Sequence, residues 1–125
     1  MNLIVSNNIN YTGTCSQSSD ENIKKIVNYI NPLIEDIADV RIVNYEFKFN
    51  KGTIYSGTIA QDWQNILPNV VTVNPEDGTL GLDYSATALI SSVTAAREIV
   101  KLKQENEELK QRLSTLEEKL DNYLK

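Results

Sequence analysis

Residues 97–124 read REIVKLKQENEELKQRLSTLEEKLDNYL, and apolar side chains return in them every seven residues. Ile99, Asn106, Leu113 and Leu120 fall at one inner position of the heptad, a. Leu102, Leu109, Leu116 and Tyr123 fall at the other, d. Asn106 is the polar exception. Four heptads make a rod of about 40 Å at 1.5 Å per residue. So narrow a stripe finds no cover on its own chain, and partner helices are expected to supply it. The helical pattern extends over the last third of the chain, from about Ala86 to Leu124.

The flanking charges say who the partners are. In a parallel pairing of identical helices, Glu98 meets Lys103, Glu105 meets Lys110, and Arg112 meets Glu117. All three pairs attract. Exposed pairs contribute a few tenths of a kcal/mol each, so they choose orientation more than they add stability. An antiparallel pairing sets Lys103 near Lys110 and faces Asn106 with Leu109, which leaves a buried amide unpaired. Parallel copies in register let Asn106 meet Asn106. Leu at d with one Asn at a favours two strands, and Leu at a weakens that preference, so the heptads leave two or three strands open.

Composition narrows the function. The chain has 125 residues, a net charge of −5 and a pI near 4.7. The first 96 residues carry the excess acid, because acids and bases balance from Arg97 to Lys125. Such a surface is a poor match for nucleic acid. No apolar run approaches the ~20 residues of a membrane span, and Met1–Val5 lacks a cationic lead and a long apolar core of a signal peptide. There is no His and one Cys, Cys15. On composition these exclude a zinc site and a His-based triad, and they leave Cys15 without an intrachain disulfide partner, as suits a reducing compartment. No cofactor or metal is expected.

Ahead of the stalk the pattern is mixed. Residues 1–18 are polar and turn-rich after Leu3-Ile4-Val5, and read as the extended tail of an upstream segment. Ser18 with Glu21 makes a capping box, and Ile23, Ile26, Val27 and Ile30 then form one helical face that stops near Pro32. Leu33–Asp39 allows a further short turn. Val40–Asn50 alternates as a strand, with Arg41, Val43, Tyr45, Phe47 and Phe49 on one side. Asn50-Lys51-Gly52 suits a hairpin turn, Thr53–Ala60 the return strand, and Gln61–Leu67 a short helix carrying Trp63. Val70–Val73 and Thr79–Leu82 are short strands around the Asn74–Gly78 turn. The expected fold is α+β: a small head of antiparallel strands and short helices over 19–85, followed by the helix of 86–125.

Ser19-Asp20-Glu21-Asn22-Ile23-Lys24-Lys25, then Gly57-Thr58-Ile59-Ala60-Gln61-Asp62 with Leu67-Pro68, then Leu82-Asp83-Tyr84-Ser85 and a heptad helix, stand in a recognisable order. Over about 18–124 the chain resembles the intramolecular chaperone domain of endosialidases, the self-cleaving C-terminal domain of phage tail spikes, tail fibres and neck appendages. Glu21 and Asn22 depart from it, standing where the family often has basic residues. The resemblance implies a parallel homotrimer that aligns the upstream fibre of its own polypeptide and then cuts itself away between Ser18 and Ser19. It implies Ser19 as nucleophile and Lys24 as base, assembly in the host bacterial cytoplasm, and a domain absent from the mature virion. The choice of three strands over two rests on this resemblance.

The implied chemistry sets conditions. A Ser hydroxyl needs a base, and Lys serves only as the neutral amine, so its pKa must fall from about 10.4 towards 7–8. Five residues of regular helix turn through about 140°, so Ser19 and Lys24 do not face each other on one helix. Ser19 is therefore expected before the first turn, with the chain bent back. Backbone N–H groups at that turn are candidate oxyanion donors. Asp20 is expected to fix the turn; Gln61 either is the ordinary start of a short helix with Asp62 or orients the segment to be cut. The alternative is a permanent trimerisation module in which Ser19 merely caps a helix and Lys24 is a solvated charge. Ile99, Leu102, Asn106, Leu109, Leu113, Leu116, Leu120 and Tyr123 hold the copies together in either case.

Overall fold

The computed structural model describes residues 12–13 and 16–125. The Leu3–Val5 strand signal and Cys15 lie outside the described residues. The chain divides into two units, residues 1–30 and 31–125.

Among the described residues of the first unit the regular element is a single 3-10 turn, Glu21–Ile23. The helix expected through Ile30 does not form, and residues 24–30 take no regular structure. Its cap also differs. Asp20, not Ser18, starts the turn, its carboxylate accepting the Asn22 N–H. The reason lies in packing. So short a helix is marginal without a surface to dock on, and its apolar face is rich in β-branched residues. That face is uncovered here, with Val27 at 87% exposure.

The second unit opens with α1, Ile34–Ala38, then a hairpin of β1, Ile42–Phe47, and β2, Asn50–Thr58. The antiparallel register pairs Ile42 with Thr58 and Tyr45 with Tyr55. Phe47 pairs with Asn50, so the turn is Lys48-Phe49 and not the expected Asn50-Lys51-Gly52. The glycine serves a different purpose. The register slips between Tyr45 and Phe47, and Gly52 takes φ +100° in the irregular stretch opposite, donating its N–H to the Glu46 carboxylate at 3.0 Å. The alternation of β1 is as read: Tyr45, Phe47, Phe49 and Tyr55 gather their rings, with centroids 5.0–5.7 Å apart.

α2, Ala60–Trp63, follows β2 directly; a 3-10 turn at Pro68–Val70 leads into β3, Val71–Val73, which pairs antiparallel with β4, Leu80–Leu82. The Asn74–Gly78 turn closes with Gly78 at φ +74°, and Asp77 accepts both the N–H and the hydroxyl of Thr79, which lowers its pKa. The two hairpins form separate two-stranded sheets. Trp63, Leu67 and Val70 make the buried core, with Ile37, Val40, Ile66, Val71, Leu82, Ala86 and Ile90 around it. Burying such a side chain stabilises by about 1.5–3 kcal/mol, so three of them make a lean core for a unit of this length.

α3 runs unbroken from Tyr84 to Leu124, 41 residues, capped by the Asp83 carboxylate on the Ala86 N–H at 3.0 Å. It starts two residues before the expected Ala86. Its first turns pack on the head through Ala86 and Ile90. Thr87 and Thr94 are buried beside them, with hydroxyls bonded to the carbonyls of Tyr84 and Ile90. Beyond Ile99 the apolar stripe is bare. No described helix is long and apolar enough to cross a membrane.

Candidate functional site

Ser19 lies just before the 3-10 turn, and Lys24 is the residue that ends it. Asp20 has extended dihedrals (φ −69°, ψ 132°), three residues follow in a tight turn, and Lys24 is extended again. The Ile23 N–H bonds to the Asp20 carbonyl at 3.1 Å and the Lys24 N–H to the Glu21 carbonyl at 3.3 Å. The chain thus doubles back within six residues. The Lys24 Nζ donates to the Ser19 Oγ at 2.7 Å. This is the bent-back geometry that the spacing required. With a neutral amine the same contact runs in reverse, the Ser19 hydroxyl donating to the Nζ lone pair. Ser18, Ser19 and Lys24 are all exposed. The turn uses the N–H groups of Asn22, Ile23 and Lys24 on itself. An oxyanion donor from this turn is therefore left to Asp20 or Glu21.

Gln61 belongs to the other unit, in α2. It lines an open groove of about 550 Å³ with Tyr45, Phe47, Leu80, Leu82 and Tyr84. Its neighbour Asp62 is tightly held. Arg41 places its Nε and Nη2 on the two carboxylate oxygens at 2.9 and 2.8 Å, and adds its own N–H at 2.9 Å. Those contacts lower the Asp62 pKa to about 2 and raise that of Arg41. Thr58 links the same corner to the core: its hydroxyl donates to the Arg41 carbonyl at 2.6 Å and accepts the Trp63 indole N–H at 3.1 Å. The Tyr84 hydroxyl, on the first turn of α3, accepts the Thr58 N–H at 3.1 Å and donates to the Thr58 carbonyl.

Residues 19–72 match the family model described as chaperone of endosialidase, a family of self-cleaving peptidases. They form a chaperone-of-endosialidase domain. No curated protein matches the chain. The match opens on Ser19 and closes within β3, so it spans the 3-10 turn, the first hairpin and α2.

The match ends before the stalk, whose inner positions are open to solvent. Ile99, Leu102, Leu109, Leu113, Leu116, Leu120 and Tyr123 are each more than half exposed, and Asn106 is exposed among them. Within one chain the stalk has a single described ion pair, Lys110 to Glu107 at 3.5 Å. Sequence reasoning passed over Arg41, Asp62, Thr58 and Tyr84 as parts of one corner. The available signal was Arg41, a cation just before β1 in step with the aromatic residues of that strand.

Proposed function

We propose that the chain is the C-terminal intramolecular chaperone of a phage tail spike, tail fibre or neck appendage. It brings three copies together and then releases itself by cutting between Ser18 and Ser19. The 2.7 Å contact between Lys24 Nζ and Ser19 Oγ carries this reading, and a family match that begins at Ser19 supports it. Three stalks side by side cover the bare heptad stripe, with Asn106 meeting Asn106. They hold the upstream ends in register, which removes much of the entropic cost of nucleating a trimeric fibre.

Neutral Lys24 takes the Ser19 hydroxyl proton, and Oγ attacks the Ser18 carbonyl carbon. The Ser18–Ser19 C–N bond breaks, the proton passes to the departing Ser19 amine, and an ester joins the Ser18 carbonyl to Oγ. Water opens the ester, giving a Ser18 carboxylate and restoring the Ser19 hydroxyl. In a lone chain Lys24 is exposed to solvent. Burial between copies favours the neutral amine and ties the cut to assembly. Once its guide has left, the fibre lacks the path by which it folded, and its stability becomes kinetic. The work belongs to the host cytoplasm during virion assembly.

Mass spectrometry of the purified chain tests this. A new N-terminus at Ser19, lost in Ser19→Ala and in Lys24→Ala, is the expected result. An intact wild-type trimer at neutral pH overturns cleavage and leaves a permanent trimerisation module.

A further inference from the structure

We infer that Asp20 is the positioning residue of the self-cleavage pair, acting through backbone geometry and not through its charge. The inference rests on the proposed cleavage at Ser19. Ser19 and Lys24 meet only because the four residues between them close a tight turn, and Asp20 opens that turn with both of its acceptors. Its carboxylate takes the Asn22 N–H at 2.9 Å, and its carbonyl takes the Ile23 N–H at 3.1 Å. The carboxylate is committed to the backbone of the turn. Among the described contacts, the Lys24 amine reaches Ser19 and not Asp20.

The turn has little else to hold it. It is three residues long and its residues are exposed. A capping acceptor at such a site decides how often the turn is populated, and each moment it opens carries Lys24 away from Ser19. Asn offers the same short amide oxygen and caps as well as Asp; Ala offers none.

The test compares Asp20→Ala and Asp20→Asn in the full chain. The first-order appearance of the Ser19 N-terminus is followed by mass spectrometry, with oligomer mass and helix content measured alongside. The expected outcome is about tenfold slower cutting in Asp20→Ala, as loss of a cap worth about one decade in population predicts, with Asp20→Asn within about twofold of wild type. Oligomer mass stays unchanged in both. Equal slowing in Asp20→Asn and Asp20→Ala overturns the inference in favour of a role for the charge. Wild-type rates in Asp20→Ala overturn it outright. Ser19→Ala separates the two levels: if that variant still gains a new N-terminus at residue 19, the cleavage reading itself falls.

Discussion

Asp62 accepts from Arg41 three times, and this makes acid its point of failure. Its pKa falls from 3.8 to about 2 on folding. A carboxylate depressed in the folded state lends stability that is fully present above its unfolded pKa and lost as pH falls through the folded one. The chain is therefore expected to weaken between about pH 4 and pH 2. Asp62→Asn lowers stability at pH 7 and flattens that acid limb. The single tryptophan, Trp63, reports it by fluorescence. Thr58→Val tests the neighbouring link. It strips the partner from the half-buried indole N–H and from the Arg41 carbonyl, at a cost of about 1–3 kcal/mol in urea unfolding at fixed protein concentration. Beyond the lone cation at Arg41, little of this corner was legible in the sequence. Arg41 and Asp62 are 21 residues apart, and only the hairpin's return brings them together. The Ser19–Lys24 pair came from the family resemblance, and its spacing added only that the chain must bend for the two side chains to touch.

Legibility among the elements follows the same division. The stalk declared itself through its period, and the alternation of β1 put Tyr45 and Phe47 on the correct face. The turn of the first hairpin was misplaced by the attraction of Gly52, whose positive φ serves the irregular stretch of β2 instead. The helix over Ile23–Ile30 was misread because its periodicity demands a docking surface, and the described residues of this unit supply none. Where β2 meets α3, space is the constraint. A Cβ on Gly57 would strike the Tyr84 hydroxyl and crowd the Tyr45 ring. Gly57→Ala is expected to cost about 1–3 kcal/mol. Removing the obstructing oxygen in Gly57→Ala/Tyr84→Phe should recover part of that loss, so a double-mutant cycle shows a favourable coupling. In the stalk, Asn106→Leu should raise the unfolding temperature and spread the assembly over more than one oligomeric state, read by native mass spectrometry.

At the scale of the molecule, a lean head and an uncovered stripe both point outward to other copies. A charge at Leu109 and Leu113, as in Leu109→Glu/Leu113→Glu, should leave a monomer by analytical ultracentrifugation and slow cutting at neutral pH at least tenfold. Ser19 and Lys24 meet within one chain, so mixed assemblies of Ser19→Ala and Lys24→Ala chains should remain uncut. Cleavage of the Lys24→Ala chain in that mixture would show a base lent by a neighbour.

α3 changes company along its length: Ala86, Thr87, Ile90 and Thr94 lie against the head, and from Ile99 onward the same rod offers its side to solvent. Because no break separates the two stretches, the azimuth of the head is geared to the heptad seam. One residue inserted between Thr94 and Ile99 would swing the head by about 100° around the rod while leaving the seam intact. Four would bring it back to within about 40° of its starting direction, one helical turn farther away. The residue count of that short join thus works as an angular scale for where each head faces.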